Sequence, residues 1–135
     1  MKRAFLWVSL VLSSIVVIGV VVQLYLIAAW IFGAGKGALD AHKLVGGAIV
    51  HPAEILVFLV SFGAWWKGWS KIAVSFSLAL LGTLQVAFAG SVTNPSNGYL
   101  HGLHGGLALF VAALAVYICR REKTALGLRR SSAAR

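Results

Sequence analysis

Two short motifs of histidine and glycine hold the residues of this 135-residue chain whose chemistry stands out. They are His42-Lys43-Leu44-Val45-Gly46-Gly47 and His101-Gly102-Leu103-His104-Gly105-Gly106. Imidazole binds transition metals and haem iron, and a residue without Cβ lets a planar group approach the backbone. The motifs therefore predict that His42 and His101 ligate one haem iron. The glycines expected to make room for the ring follow on the same helical faces and are Gly46, Gly47, Gly105 and Gly106.

A second histidine in the later motif leaves the ligand assignment open. His104 lies one turn beyond His101 on the same helical face. It is an alternate ligand to the iron, or a partner for a haem propionate or another polar group. Paired glycines also permit close helix contact, so a haem-free structural or accessory membrane subunit is the alternative function.

A third histidine belongs to a different pattern, His51-Pro52-Ala53-Glu54, deep in an apolar segment. His51 and Glu54 are three residues apart and share a helical face. They are candidates for a proton or metal site in a small ion-handling membrane protein. The alternative is a buried hydrogen-bonded pair that supports a kink at the proline.

The amino-acid composition indicates whether these motifs lie in water or in a lipid bilayer. The chain is 60% hydrophobic and 11% charged, which is typical of an integral membrane protein. Four apolar segments predict an all-α, up-down bundle of four membrane-spanning helices. The predicted helices cover about residues 4–32, 38–66, 71–92 and 99–119, and a basic, loosely ordered tail covers residues 120–135.

The net charge of +9 predicts membrane topology better than it predicts nucleic-acid binding. Lysines and arginines flank the apolar segments and collect at both termini and in the loop of Lys67 and Lys71, whereas the other side has only Lys36 and Lys43. Both termini are therefore expected to face the cytoplasm. His42 and His101 would then lie at similar depths near the outer face.

The two motifs form part of a longer internal repeat. Gln23 and Gln85 each precede one motif, on the preceding helix. Two related helical hairpins can pack about a pseudo-twofold axis along the membrane normal. The second and fourth helices would then be diagonal and about 12–14 Å apart, a separation that two imidazoles on one iron can bridge.

This arrangement resembles a small bacterial integral-membrane family without known function. The resemblance covers Ala4 to Cys119 and rests on the four spans, the two glutamines and the two histidine motifs. The later motif of that family is His-Pro-x-Asn-Gly, and here Gly102 and His104 replace the proline and asparagine.

The histidine pairing is also similar to that of membrane b-type cytochromes. No Cys-x-x-Cys-His motif for covalent attachment is present. The similarity implies one non-covalent haem b, electron transfer, and a quinone or a membrane redox protein as partner. The similarity favours an electron-transfer or binding protein over a stand-alone enzyme.

The topology predicts a labelling pattern. With Cys119 replaced by alanine, a cysteine at Ser96 should react with an impermeant thiol reagent in intact cells, because its loop is expected outside. A cysteine at Ser132 should react only after lysis. Labelling in the opposite pattern would invert the protein in the membrane.

Overall fold

The computed structural model describes residues 1–90 and 98–128, and all regular structure within these ranges is helical. The predicted loop residues 93–97 and tail residues 129–135 lie outside the described residues. The helices are α1 (Lys2–Ile31), α2 (Lys36–Val45), a π-helical turn (Gly46–Val50), α3 (His51–Trp65), α4 (Trp69–Gly90) and α5 (Gly98–Ala125).

Within residues 1–90 and 98–128, four helical segments are long and apolar enough to cross a membrane, as predicted. The second span is continuous from α2 through the π-helical turn to α3. Large apolar side chains cover the outside of the bundle, as expected where the surrounding solvent is lipid. Among the most exposed are Ile18, Val21, Leu109 and Phe110.

The spans pack in a ring, in the order in which they occur in the chain. Each span contacts the next one, and α5 closes the ring by packing against α1. The second and fourth spans are therefore diagonal, as the up-down arrangement predicts. The core between the spans is apolar and contains fully buried Val16, Val57, Leu78 and Val111.

Glycines let the first and second spans approach closely at two levels. A Cβ on Gly63 would lie 2.6 Å from the ring of Phe5, and a Cβ on Gly19 would collide with the side chain of Val50. Small residues at such contacts are typical of helix packing in membranes, where close backbone approach supplies the dispersion energy.

The π-helical turn has a local cause in the sequence. Pro52 has no N–H to donate, and its ring cannot pack into a regular helix above the preceding turn. The helix widens just before this proline, and the N–H of His51 bonds to the carbonyl oxygen of Gly46. The predicted disturbance at Pro52 is thus present as a wider turn over Gly46–Val50.

The fourth span ends later than predicted, because a buried carboxylate holds its last turns in the bundle. α5 continues past Cys119 to Ala125, and Glu122 has no exposed surface. Three buried residues of the same stripe, Val111, Ala115 and Ile118, precede Glu122 at helical spacing. Residues 120–125 are therefore helix, and the boundary of the basic tail moves toward the C-terminus.

Glu122 joins three spans through one oxygen atom. Its Oε1 accepts hydrogen bonds from Ser9 Oγ at 3.0 Å, Trp65 Nε1 at 3.2 Å and Arg121 Nη2 at 2.7 Å. Arg121 also donates to the carbonyl oxygen of Lys71 at 2.8 Å, which adds the third span. We call the end of the bundle that carries Lys2, Trp65, Lys71 and Arg121 the basic end.

Removing the carboxylate of Glu122 should destabilise the bundle. Glu122→Ala leaves the Arg121 guanidinium buried without its counter-ion, which costs about 3 kcal/mol. Unfolding by sodium dodecyl sulphate in mixed micelles measures this change. Lys123→Ala, a neighbouring exposed position, should change stability by less than about 0.5 kcal/mol, and equal losses in the two variants would contradict the role of Glu122.

Candidate functional site

The structure brings two histidines together across the diagonal of the bundle. His42 of the second span and His104 of the fourth span have ring centroids 6.2 Å apart and ring planes at 76°. We call the end of the bundle that carries these two rings the histidine end. His101, expected as the second ligand, lies one turn before His104 and is exposed. The structure thus places the alternate ligand, His104, against His42.

Both rings are held by the same kind of hydrogen bond. His42 Nδ1 lies 3.1 Å from the carbonyl oxygen of Gln23, and His104 Nδ1 lies 2.9 Å from the carbonyl oxygen of Gln85. A carbonyl oxygen can only accept, so Nδ1 carries the proton in each ring. In a neutral imidazole the lone pair is then on Nε2, the arrangement found in metal-ligating histidines whose Nδ1–H is anchored to the backbone.

The two hydrogen bonds define the register of the repeat. Each histidine follows its carbonyl partner by 19 residues. Aligning Gln23 with Gln85 therefore aligns His42 with His104. The position of the glycine pairs in the sequence instead favoured an alignment of His42 with His101, three residues before His104. The equal spacing of 19 residues is nevertheless visible in the sequence.

Buried residues elsewhere in the hairpins agree with this register. Counting back from the two glutamines, Ser13 aligns with Ser75 and Val16 aligns with Leu78. All four side chains are fully buried. The two hairpins therefore present equivalent positions to the core, as a pseudo-twofold bundle requires.

The glycines of the two motifs have different surroundings. A Cβ on Gly46 would collide with the side-chain amide of Gln23, so Gly46 makes room for that amide. Among the described residues, no atom outside the local helix backbone lies within 4 Å of a Cβ built on Gly47, Gly105 or Gly106. These three glycines border open space, and their expected contact with a haem stays a prediction.

Gln23, whose backbone carbonyl oxygen holds the His42 ring, also carries an unsatisfied side-chain atom. Its Oε1 is buried and has no hydrogen-bond partner among the described residues. Most buried polar atoms in proteins are bonded, so this oxygen is suited to accept from a polar group of a ligand. The predicted inward orientation of Gln23 agrees with its packing against Gly46.

His51 and Glu54 meet in the middle of the second span, away from the histidine end. His51 Nδ1 lies 3.3 Å from Glu54 Oε2, and the side chain of Glu54 is 2% exposed. The carboxylate occupies the space that a Cβ on Gly82 of the third span would fill. The pairing expected from the sequence is present, on a face turned toward the third span.

The described residues contain no group of three or more His, Cys, Asp or Glu side chains that could hold a metal ion. A haem requires only its axial ligands from the protein, so a pair of histidines is sufficient for it. No protein-family model, curated protein or solved structure matches the chain. Functional inference therefore depends on the geometry of the histidine pair.

The neighbouring glycines Gly46 and Gly47 should respond differently to alanine. Gly46→Ala must displace the amide of Gln23 from a packed interface, and we expect a loss of about 1–3 kcal/mol. Gly47→Ala meets open space and should be neutral or stabilise the helix by up to about 1 kcal/mol. Unfolding in mixed micelles compares the variants. Equal effects would show that contact with Gln23 does not set the requirement for Gly46.

Proposed function

We propose that this chain binds one haem b between its second and fourth spans and transfers single electrons. His42 and His104 would be the axial ligands. The observation that carries the proposal is the matched pair of imidazoles, each anchored through Nδ1 to a helix carbonyl oxygen. A single histidine so placed is an ordinary hydrogen-bonded side chain, whereas two with ring centroids 6.2 Å apart are suited to hold one iron between them.

The separation of the rings suits two imidazoles on one iron. Each iron–nitrogen bond is about 2 Å long and each ring centroid lies about 1 Å beyond its nitrogen, so the centroids are expected about 6 Å apart. The observed separation is 6.2 Å. The angle of 76° between the planes is compatible with axial ligation, because each ring can rotate about its bond to the metal.

Two protein ligands favour electron transfer over oxygen chemistry. A haem with both axial positions filled offers no open site to a substrate, and the one-electron couple of the iron is the chemistry it supplies. The residues of the chain hold the two rings in place and exclude water from the core. A quinone or a membrane redox protein would exchange electrons with the site, which is predicted to lie near the outer face of a bacterial inner membrane.

Glycines near the two histidines determine how closely a planar ligand can approach the helix backbone. Gly47, Gly105 and Gly106 border open space, where a planar group can approach the backbone. Gly46 supports the site indirectly, since it seats Gln23, whose carbonyl oxygen holds the His42 ring.

The second candidate function is ion or proton handling at His51 and Glu54. It is favoured by the near-complete burial of Glu54 in an apolar bundle, because carboxylates inside membranes are costly and commonly functional. The haem-free structural subunit remains the third candidate. Under either alternative the purified protein would contain no haem.

Histidine variants test the ligand assignment. His42→Ala and His104→Ala should each abolish the low-spin Soret and α bands of the reduced protein, because each removes one axial ligand. His101→Ala and His51→Ala should leave the spectrum nearly unchanged. The measurement is the dithionite-reduced minus oxidised spectrum of protein purified from haem-replete cells.

The same experiment distinguishes the alternatives. Loss of the bands in His101→Ala with retention in His104→Ala would restore His101 as the ligand. A colourless wild-type protein from haem-replete cells would refute haem binding. Membrane insertion and the yield of monodisperse protein after extraction are measured for each variant. A variant that passes both tests but lacks the bands has lost a ligand and not its fold.

A further inference from the structure

The basic end of the bundle holds more positive charge than its acidic residue can neutralise. Three cations surround the ring of Trp65: Lys71 Nζ at 4.0 Å, Arg121 Cζ at 5.1 Å and Lys2 Nζ at 5.4 Å from its centroid. The chain has three acidic residues in total. Asp40 pairs with Lys36 in α2, and Glu54 lies in mid-span, which leaves Glu122 alone at this end.

Glu122 already accepts hydrogen bonds from residues within the bundle. Its Oε1 accepts from Ser9, Trp65 and Arg121, and the side chain is fully buried. Arg121 is therefore neutralised inside the bundle, whereas Lys2 and Lys71 keep a net positive charge around the indole. Exposed Lys67, in the turn that joins the second and third spans, adds to it.

An apolar groove opens beside these lysines. It has a volume of about 450 Å³ and is lined by Phe62, Trp66, Trp69, Ile72 and Lys67. Trp66 and Trp69 are 74% and 75% exposed, so their rings face the surroundings of the bundle. Tryptophan prefers the level of lipid headgroups, which places the groove at the membrane interface.

Lys71 lies next to this groove. Its side chain packs along the turn, with Cδ 3.4 Å from a Cβ built on Gly68, and Ile72 of the groove is the following residue. Lys67 is thus the one charged residue in the lining of a groove whose other walls are apolar, and the ammonium of neighbouring Lys71 lies over the ring of Trp65. A ligand that fits both parts has an anionic head and a hydrocarbon body.

We propose that this groove binds an anionic glycerophospholipid, with the phosphate at Lys67 and an acyl chain along the groove. Positive charge that the protein leaves uncompensated selects the anionic headgroup. Apolar walls with exposed indoles select a lipid over a soluble phosphate, because only the lipid carries a hydrocarbon chain that can lie against them. The site is at the end opposite the histidine pair and is independent of haem.

Native mass spectrometry of the detergent-solubilised full chain tests this proposal. Titration with phosphatidylglycerol should give a 1:1 complex, and phosphatidylcholine with the same acyl chains should bind at least 10-fold more weakly. Lys67→Ala and Trp69→Ala should each weaken phosphatidylglycerol binding at least 5-fold. Glycerol phosphate at millimolar concentration should not compete, since it lacks acyl chains.

Two matched controls make the result decisive. Lys123→Ala removes an exposed cation at the same end of the fourth span, and Trp30→Ala removes an exposed indole in the first span, near its last turn. Both should bind phosphatidylglycerol like the wild type. Lys67 and Trp69 lie outside the network of Glu122, so their variants should keep the fold, which circular dichroism checks.

Three results would overturn the proposal. Equal binding of phosphatidylcholine would mean that charge does not select the lipid. Equal weakening by Lys123→Ala would indicate a diffuse cationic surface instead of a site. Unchanged binding in Lys67→Ala and Trp69→Ala would place the lipid elsewhere.

Discussion

A buried polar group inside a bilayer must find its partner within the protein, and this constraint organises the whole bundle. The histidine rings satisfy it through backbone carbonyl oxygens of neighbouring spans, at 3.1 Å for His42 and 2.9 Å for His104. Each such bond ties a histidine on one helix to the backbone of another. The bond that removes an unsatisfied N–H therefore also fixes the direction of the remaining ring nitrogen. The same hydrogen bond thus satisfies a polar group and orients a ring.

The near-symmetry of the two hairpins explains why the two histidine rings come as a pair. Equivalent spacing from Gln23 and Gln85 puts two imidazoles at one depth and on diagonal spans, without any separate device to align them. Departures from the symmetry are equally informative. Glu54 has Val116 at its equivalent position, so the mid-span carboxylate belongs to one hairpin alone. A role for Glu54 must therefore be separate from the paired site.

Apolar composition predicted the four spans, because hydropathy and helix length alone decide whether a segment can cross a bilayer. Detail within the spans was harder to predict. The charged run around Glu122 looked like a solvated tail, and only its spacing from Val111, Ala115 and Ile118 indicated an inward position. His104, and not His101, bonds to a backbone carbonyl oxygen, and every residue has such an oxygen, so residue types alone do not reveal the acceptor. Only the spacing of 19 residues from Gln85 indicated this bond in the sequence.

The polar groups of the bundle lie at separate levels, with apolar core between them. The rings of His42 and His104 occupy one end, His51 and Glu54 the middle, and the network of Glu122 the other end. Lysines are present at both ends, Lys43 next to His42 and Lys2 and Lys71 around the ring of Trp65. What distinguishes the ends is the partner that their polar groups find, a backbone carbonyl oxygen for each histidine and a buried carboxylate for Arg121. The two ends are joined only by helices packed around an apolar core, with no need for a continuous chain of polar groups between them.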